Sequence, residues 1–176
     1  MTAPVFDLTA MRSTELLGLY SQILTELNQR TVVWSRNAPA GDYAELLVAE
    51  AFGGSIAKSS KKSWDVRLDD RLLQVKCRVT DAASTKSQSY SPFRSFDFHA
   101  CVFVVLDSVT YEVVRAVEVP RETVESSASL SEWVAGSRVT VKAVMNLVDA
   151  REVTDELRAA QRDVDARGRQ AGYDTA

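Results

Sequence analysis

The sequence predicts a mixed α/β (α+β) domain in which helices flank a mixed β-sheet, and three observations predict it. Residues 13–29 carry Leu16, Leu17, Tyr20, Ile23, Leu24 and Leu27 at three- and four-residue spacing, the period of an amphipathic helix. Residues 64–79 (WDVRLDDRLLQVKCRV) alternate apolar and polar side chains on either side of Asp69-Asp70, the pattern of two strands folded back on each other. Residues 100–106 (ACVFVVL) are continuously apolar, which suits a central strand covered on both faces.

Taken in order, the chain begins with the 13–29 helix, capped by Ser13 or Thr14, its stripe read as core packing. Residues 30–35 read as extended, and 36–41 as a loop of turn formers. A second helix runs from about Asp42 to Phe52 and stops at Gly53-Gly54. Asp42 and Glu45 have the spacing of a capping box, so Glu45 has a structural role open to it; Glu50 faces solvent. Residues 58–63 form a basic loop before the hairpin. Residues 80–91 (TDAASTKSQSYS) have almost nothing to bury and read as a mobile loop. Two strands follow, 100–106 and 111–119, then a short helix with Pro120 at its first position. Residues 138–142 alternate as a final, peripheral strand. The whole divides into a domain over 1–150 and a charged C-terminal helix with a frayed tail over 151–176, the helix anchored by Val153, Leu157, Ala160 and Val164.

The hairpin sets a constellation. A two-residue turn at Asp69-Asp70 pairs Leu68 with Arg71 and therefore puts Asp65 opposite Gln74, with Lys76 two residues further along the same face. A four-residue turn keeps that register, whereas a three-residue turn puts Val75 opposite Asp65 and breaks it. An ordinary cross-strand hydrogen bond beside an exposed lysine is the plain alternative.

Composition narrows the chemistry. The chain of 176 residues is 45% hydrophobic and 26% charged, as in ordinary globular domains. No apolar run spans a bilayer and no basic-then-apolar leader opens the chain, so a cytoplasmic protein without a membrane partner is expected. A single histidine, His99, and two cysteines in apolar strand patterns, Cys77 and Cys101, make a poor zinc set. Any metal is expected on oxygen. The net charge of −3 argues against indiscriminate coating of nucleic acid, yet nine basic residues face four acidic ones between Lys58 and Arg94. The positive charge thus gathers around the hairpin, where phosphate contacts are expected from Lys58, Lys61, Lys62, Arg78, Lys86 and Arg94. Phe93 and Phe96 read as core, with base stacking as the alternative.

A helix carboxylate (Glu45 in GDYAE), a strand aspartate (Asp65 in SWDV) and Gln-x-Lys on the paired strand (Gln74 and Lys76 in LLQVKCR) together resemble the PD-(D/E)xK, or restriction-endonuclease-like, nuclease superfamily. The resemblance covers about residues 41–119. Gln74 replaces the usual middle acid, a form similar to that of Mrr-type enzymes, and Trp64 stands where proline often precedes the aspartate. The resemblance implies a restriction-endonuclease-like core and a metal-dependent endonuclease that hydrolyses DNA, in restriction, defence or repair. It implies Mg²⁺, with Mn²⁺ as a substitute, held by Asp65, the Gln74 side-chain oxygen, the Val75 carbonyl and Glu45, and Lys76 acting on the attacking water and the phosphate. Cutting both strands commonly takes two sites, which implies a homodimer. The alternative is a catalytically inactive module of the same fold that binds nucleic acid or protein.

Overall fold

The computed structural model describes residues 8–10, 13–34, 39–57, 63–80, 88–108, 110–131 and 136–171. The first helix, α1 (Ser13–Gln29), has the predicted span. Its stripe is only partly covered, because Leu24 is buried while Tyr20 and Ile23 remain about half exposed. The stretch after it is a turn and not an extended segment. The amides of Thr31 and Val32 donate back to Asn28 O and Leu27 O, and Thr31 takes φ 57°. That pair of bonds satisfies the last carbonyls of the helix, at the cost of a left-handed threonine.

The second helix, α2 (Pro39–Phe52), starts three residues before the expected Asp42. Proline stands at its first position, where a missing N–H costs nothing. The capping box at Asp42 and Glu45 is therefore not formed as expected. Asp42 lies inside the first turn, and its Oδ2 accepts the Trp34 N–H at 2.8 Å, fastening the loop to the helix. Gly53 ends the helix at φ +69°. Gly54 lets the chain cross close to the hairpin, since a β-carbon there would stand 2.8 Å from Val66 Cγ1 and 2.9 Å from Arg67 O.

The strands are β1 (Ser55–Ile56), β2 (Val66–Leu68), β3 (Arg71–Thr80), β4 (Ala100–Asp107) and β5 (Val113–Pro120). Next come α3 (Arg121–Ser127), β6 (Ser129–Ser131), β7 (Gly136–Arg138), α4 (Val141–Val144), β8 (Arg151–Glu152) and α5 (Thr154–Ala171). Six strands form one mixed sheet in the order β1-β2-β3-β4-β5-β8, in which β3 and β4 are parallel and the other neighbours antiparallel. The fold is thus a mixed α/β domain with helices against the sheet.

The turn that the register depended on has two residues. Asp69 adopts φ 46°, and Leu68, Arg67 and Val66 pair with Arg71, Leu72 and Leu73. Ala100 to Leu106 of β4 are buried throughout, as their continuous apolarity predicts for the strand between β3 and β5. One core lies between the sheet and the helices α2 and α5, where Leu47 and Val48 meet Leu73, Val75, Val102, Val104 and Leu157. A second core covers the opposite face and gathers Cys101, Phe103, Val117 and Val119 with Tyr90, Phe93, Phe98 and Val144.

Two sequence expectations fail on this second face. Residues 88–91 of the expected mobile loop are tied down: Tyr90 is among the largest fully buried side chains, and its N–H donates to Val139 O. A single aromatic ring gave the segment enough to bury. The expected strand over 138–142 divides. Arg138 ends β7, which pairs with β6 as a separate two-stranded sheet, and Thr140 Oγ1 accepts the Ala143 N–H to cap α4. Pro120 precedes the first turn of α3 and does not belong to it.

The C-terminal anchors Val153, Leu157, Ala160 and Val164 are all buried. Beside them Glu118 of β5 is nearly enclosed and joins Arg151 to Arg71 across the sheet. Burial works to raise its pKa, but the hydrogen bonds of Arg151 and Arg71 prevail and hold the carboxyl below its ordinary range.

Candidate functional site

The site begins where β2 runs out. Leu72 and Thr80 turn their backbone groups toward β4, since His99 N–H donates to Leu72 O and Ser108 N–H to Thr80 O. Backbone direction alternates along a strand, so Leu73, Val75, Cys77 and Val79 address the β2 side. The Asp65 N–H still reaches Leu73 O at 2.8 Å. One step further along β3 there is no β2 residue opposite, and the Val75 N–H donates to the Asp65 carboxylate, Oδ2, at 2.7 Å. The same oxygen accepts a hydrogen bond from Gln74 Nε2. The side chains of Asp65 and Gln74 therefore touch, just beyond the last ladder pair of Val66 with Leu73.

Helix α2 packs on one face of the sheet through Ala44, Leu47 and Val48, while Gln74 and Lys76 belong to the other. Glu45, on the same helix, meets them at the rim. A cleft of about 520 Å³ is lined by Glu45, Asp65, Gln74, Val75 and Lys76 together with Gly41, Cys77, Arg78 and Ser91. The five residues that the sequence singled out for catalysis and metal binding thus share one cleft.

Its electrostatics are those of crowded carboxylates. Burial, then the charges of Asp65 and Asp42, push the Glu45 carboxyl up to about 8 against the pull of Lys76. Burial also raises Asp65, opposed by the Val75 N–H, Lys76 and Gln74. At neutral pH the pair is best satisfied with a proton on Glu45 or a cation beside it. Burial lowers the Lys76 ammonium from its ordinary value, with Asp65 acting in the other direction. That ammonium donates to Ser91 Oγ at 3.2 Å and to the Pro92 carbonyl at 3.3 Å, and sits 4.8 Å from the centre of the Phe93 ring. Ser91 and Pro92 were not legible as site residues, and Phe93 only as an alternative base-stacking ring, because nothing in SPF marks a segment that folds over a lysine fifteen positions earlier.

Of the expected phosphate contacts, Arg78 lines the cleft and donates through Nε to Gln88 Oε1 at 2.9 Å. Arg94 is exposed and acts electrostatically on Lys76. Lys58, Lys61, Lys62 and Lys86 lie outside the described residues. Phe93 and Phe96 stack at 5.4 Å, and Phe93 is buried, so it is a core residue. His99 Nδ1 accepts the Leu72 N–H at 2.9 Å and extends the ladder. Both cysteines are free; Cys101 is buried, and burial pushes the Cys77 thiol up to about 12.

The donor set suits a hard cation in part. Two carboxylates, Glu45 and Asp65, and the Val75 carbonyl beyond the end of β2 are oxygen donors of the kind Mg²⁺ takes through one or two carboxylates. Among the described residues no group of three or more His, Cys, Asp or Glu side chains is placed to hold a metal ion. Gln74 turns its amide nitrogen to Asp65, so its oxygen reaches the same place only with the amide turned over. No protein-family model matches the chain, and no curated protein matches it in sequence. Among the described residues no helix is long and apolar enough to cross a membrane.

Proposed function

We propose that this protein is a divalent-cation-dependent nuclease of the restriction-endonuclease-like, PD-(D/E)xK kind, hydrolysing phosphodiester bonds in DNA. The observation that carries the reading is Glu45: a half-buried carboxyl held up to about 8 by burial and by Asp65, in a cleft that also holds Lys76. Two acids crowded beside a lysine are an arrangement that a divalent cation and a phosphate relieve together.

In this reading Glu45, Asp65 and the Val75 carbonyl hold Mg²⁺ or Mn²⁺, joined by Gln74 once its amide turns. A cation so bound supplies positive charge for the phosphate oxygens and makes a water easier to deprotonate. Lys76, with its ammonium at the cleft wall, orients the attacking water and offsets the charge that develops on the phosphate. Arg78 and Arg94, with the basic residues on either side of the hairpin, hold the DNA backbone and do not read bases. A homodimer, cytoplasmic and acting in restriction, defence or repair, belongs to the same reading.

A second reading has its own observation. Gln74 and the Val75 N–H both donate to Asp65 Oδ2, one of the two carboxylate oxygens open to a cation, which favours an inactive module that kept the fold for binding. Cleavage of supercoiled plasmid, single-stranded and branched DNA with Mg²⁺ or Mn²⁺ separates the two. The nuclease is expected to nick or linearise one of them, to stop with EDTA, and to lose metal binding in Asp65→Asn. Lys76→Ala is expected to keep metal and DNA affinity while cleavage slows by about 10²-fold, the scale of a positioned catalytic group. Cleavage that survives both EDTA and Lys76→Ala refutes the mechanism; no cleavage and no heat of metal binding leaves the binding module.

A further inference from the structure

Three consecutive residues meet the Lys76 ammonium with three different kinds of acceptor: the Ser91 hydroxyl at 3.2 Å, the Pro92 carbonyl at 3.3 Å and the face of Phe93 at 4.8 Å. An ammonium has three donors on a flexible four-carbon stem, so contacts from three sides select one placement out of many. Lysine rotamer entropy is the largest obstacle to placing such a charge, and a preformed cage removes it before substrate arrives.

The cage is itself built to stay in place. Phe93 exchanges both backbone hydrogen bonds with Ser137 of β7, at 2.8 and 3.1 Å, and the Val141 N–H reaches Gln88 O at 2.8 Å. Underneath, the rings of Tyr90 and Phe93 lie 4.9 and 6.1 Å from that of Phe103 on β4. The close pairing needs Gly136, where a β-carbon would stand 2.7 Å from Phe93 O and 3.0 Å from Pro92 Cβ. Sequence distant from the hairpin thus fixes the hairpin's lysine.

We infer that residues 91–93 are a positioning element for Lys76, with Ser91 Oγ as its replaceable contact and the Gly136–Ser137 strand as its backing. The inference rests on the nuclease reading and adds to it a residue, Ser91, that acts on the reaction only through Lys76. Ser91 is exposed, so its hydroxyl can be removed without opening the core.

Steady-state cleavage and nitrogen–proton NMR of the lysine ammonium groups test it on the full chain. Ser91→Ala is expected to lower kcat about tenfold with KM and Mg²⁺ affinity within about twofold, the effect of losing one hydrogen bond to a charged group. Ser91→Thr, which keeps the hydroxyl, is expected to retain wild-type kcat. The Lys76 ammonium resonance, assigned by its loss in Lys76→Ala, is expected in wild type and Ser91→Thr and lost to rapid exchange in Ser91→Ala. Wild-type kcat with an unchanged resonance in Ser91→Ala overturns the inference. If wild-type protein cleaves no substrate, the nuclease reading falls by that result. The resonance then still decides whether the segment holds Lys76: persistence in Ser91→Ala overturns the hold, and loss upholds it.

Discussion

Asp65 Oδ2 accepts the backbone N–H of Val75 at 2.7 Å, so a side chain closes the ladder where its own strand has ended. A carboxylate used this way is fixed in direction, and it stands where β3 runs on past its last pair with β2, Val66 with Leu73.

Gln74→Glu tests the second contact to the same oxygen. The glutamine amide donates to Asp65, and glutamate replaces a donor with a second negative charge. The metal-free variant is expected to lose about 1–3 kcal/mol of stability, the cost of breaking a hydrogen bond to a charged group and opposing two carboxylates. Saturating Mg²⁺ is expected to restore stability beyond that of wild type and to bind more tightly. Denaturant melts with and without Mg²⁺ measure both; equal melts in its absence contradict the contact.

Glu45 makes stability depend on pH and, on the nuclease reading, metal affinity in the opposite direction. Its folded-state pKa, about 8, lies above the ordinary 4.5, so the native protein binds a proton that the unfolded chain releases between these values. That stability is complete below pH 4.5 and is lost as pH rises through 8. Glu45→Gln, which cannot ionise, is expected to melt increasingly above wild type between pH 5 and 8, with a constant difference beyond. Metal affinity of wild type is expected to rise over the same interval because the proton must leave. A melting difference independent of pH rules out the raised carboxyl.

On the nuclease reading, Lys61 and Lys62 are expected to act on DNA through charge alone. Replacing both by alanine is expected to weaken binding equally across sequences and to flatten the slope of log affinity against log salt by about 1–2, as for one or two lost phosphate contacts. Binding isotherms at four salt concentrations give the slope, and an unchanged slope makes these two lysines ordinary surface charges.

Tyr90 offers a test that involves no activity. Among the described residues its hydroxyl is buried without a hydrogen-bond partner. Tyr90→Phe removes the unsatisfied group and keeps the ring against Phe103, so stability is expected to rise by about 1 kcal/mol. A destabilised variant in chemical denaturation shows that the hydroxyl has a partner after all.

The sequence by itself determined the hairpin and the buried strand beside it, and offered a two-residue turn at Asp69-Asp70 as one of the lengths that set Asp65 against Gln74. These follow from alternation and turn chemistry, which act between neighbours in the chain. Local rules also located α1, and α2 and α5 to within a few residues. Tertiary structure alone decided the rest. Alternation marked Gln74 and Lys76 as the outward row of the hairpin, whereas the aromatic segment 90–98 covers that row and half-buries the lysine. Local spacing made Asp42 a helix cap, but Pro39 starts the helix earlier and leaves Asp42 to hold Trp34. The alternation of residues 138–142 suggested a strand, yet Thr140 caps a helix there, since a polar side chain beside free amides outweighs a weak strand preference. The grip of Ser91, Pro92 and Phe93 on Lys76 is of the same origin. It joins segments whose only common property is that the fold of the second core brings them to one place, and no pattern between neighbouring residues encodes that.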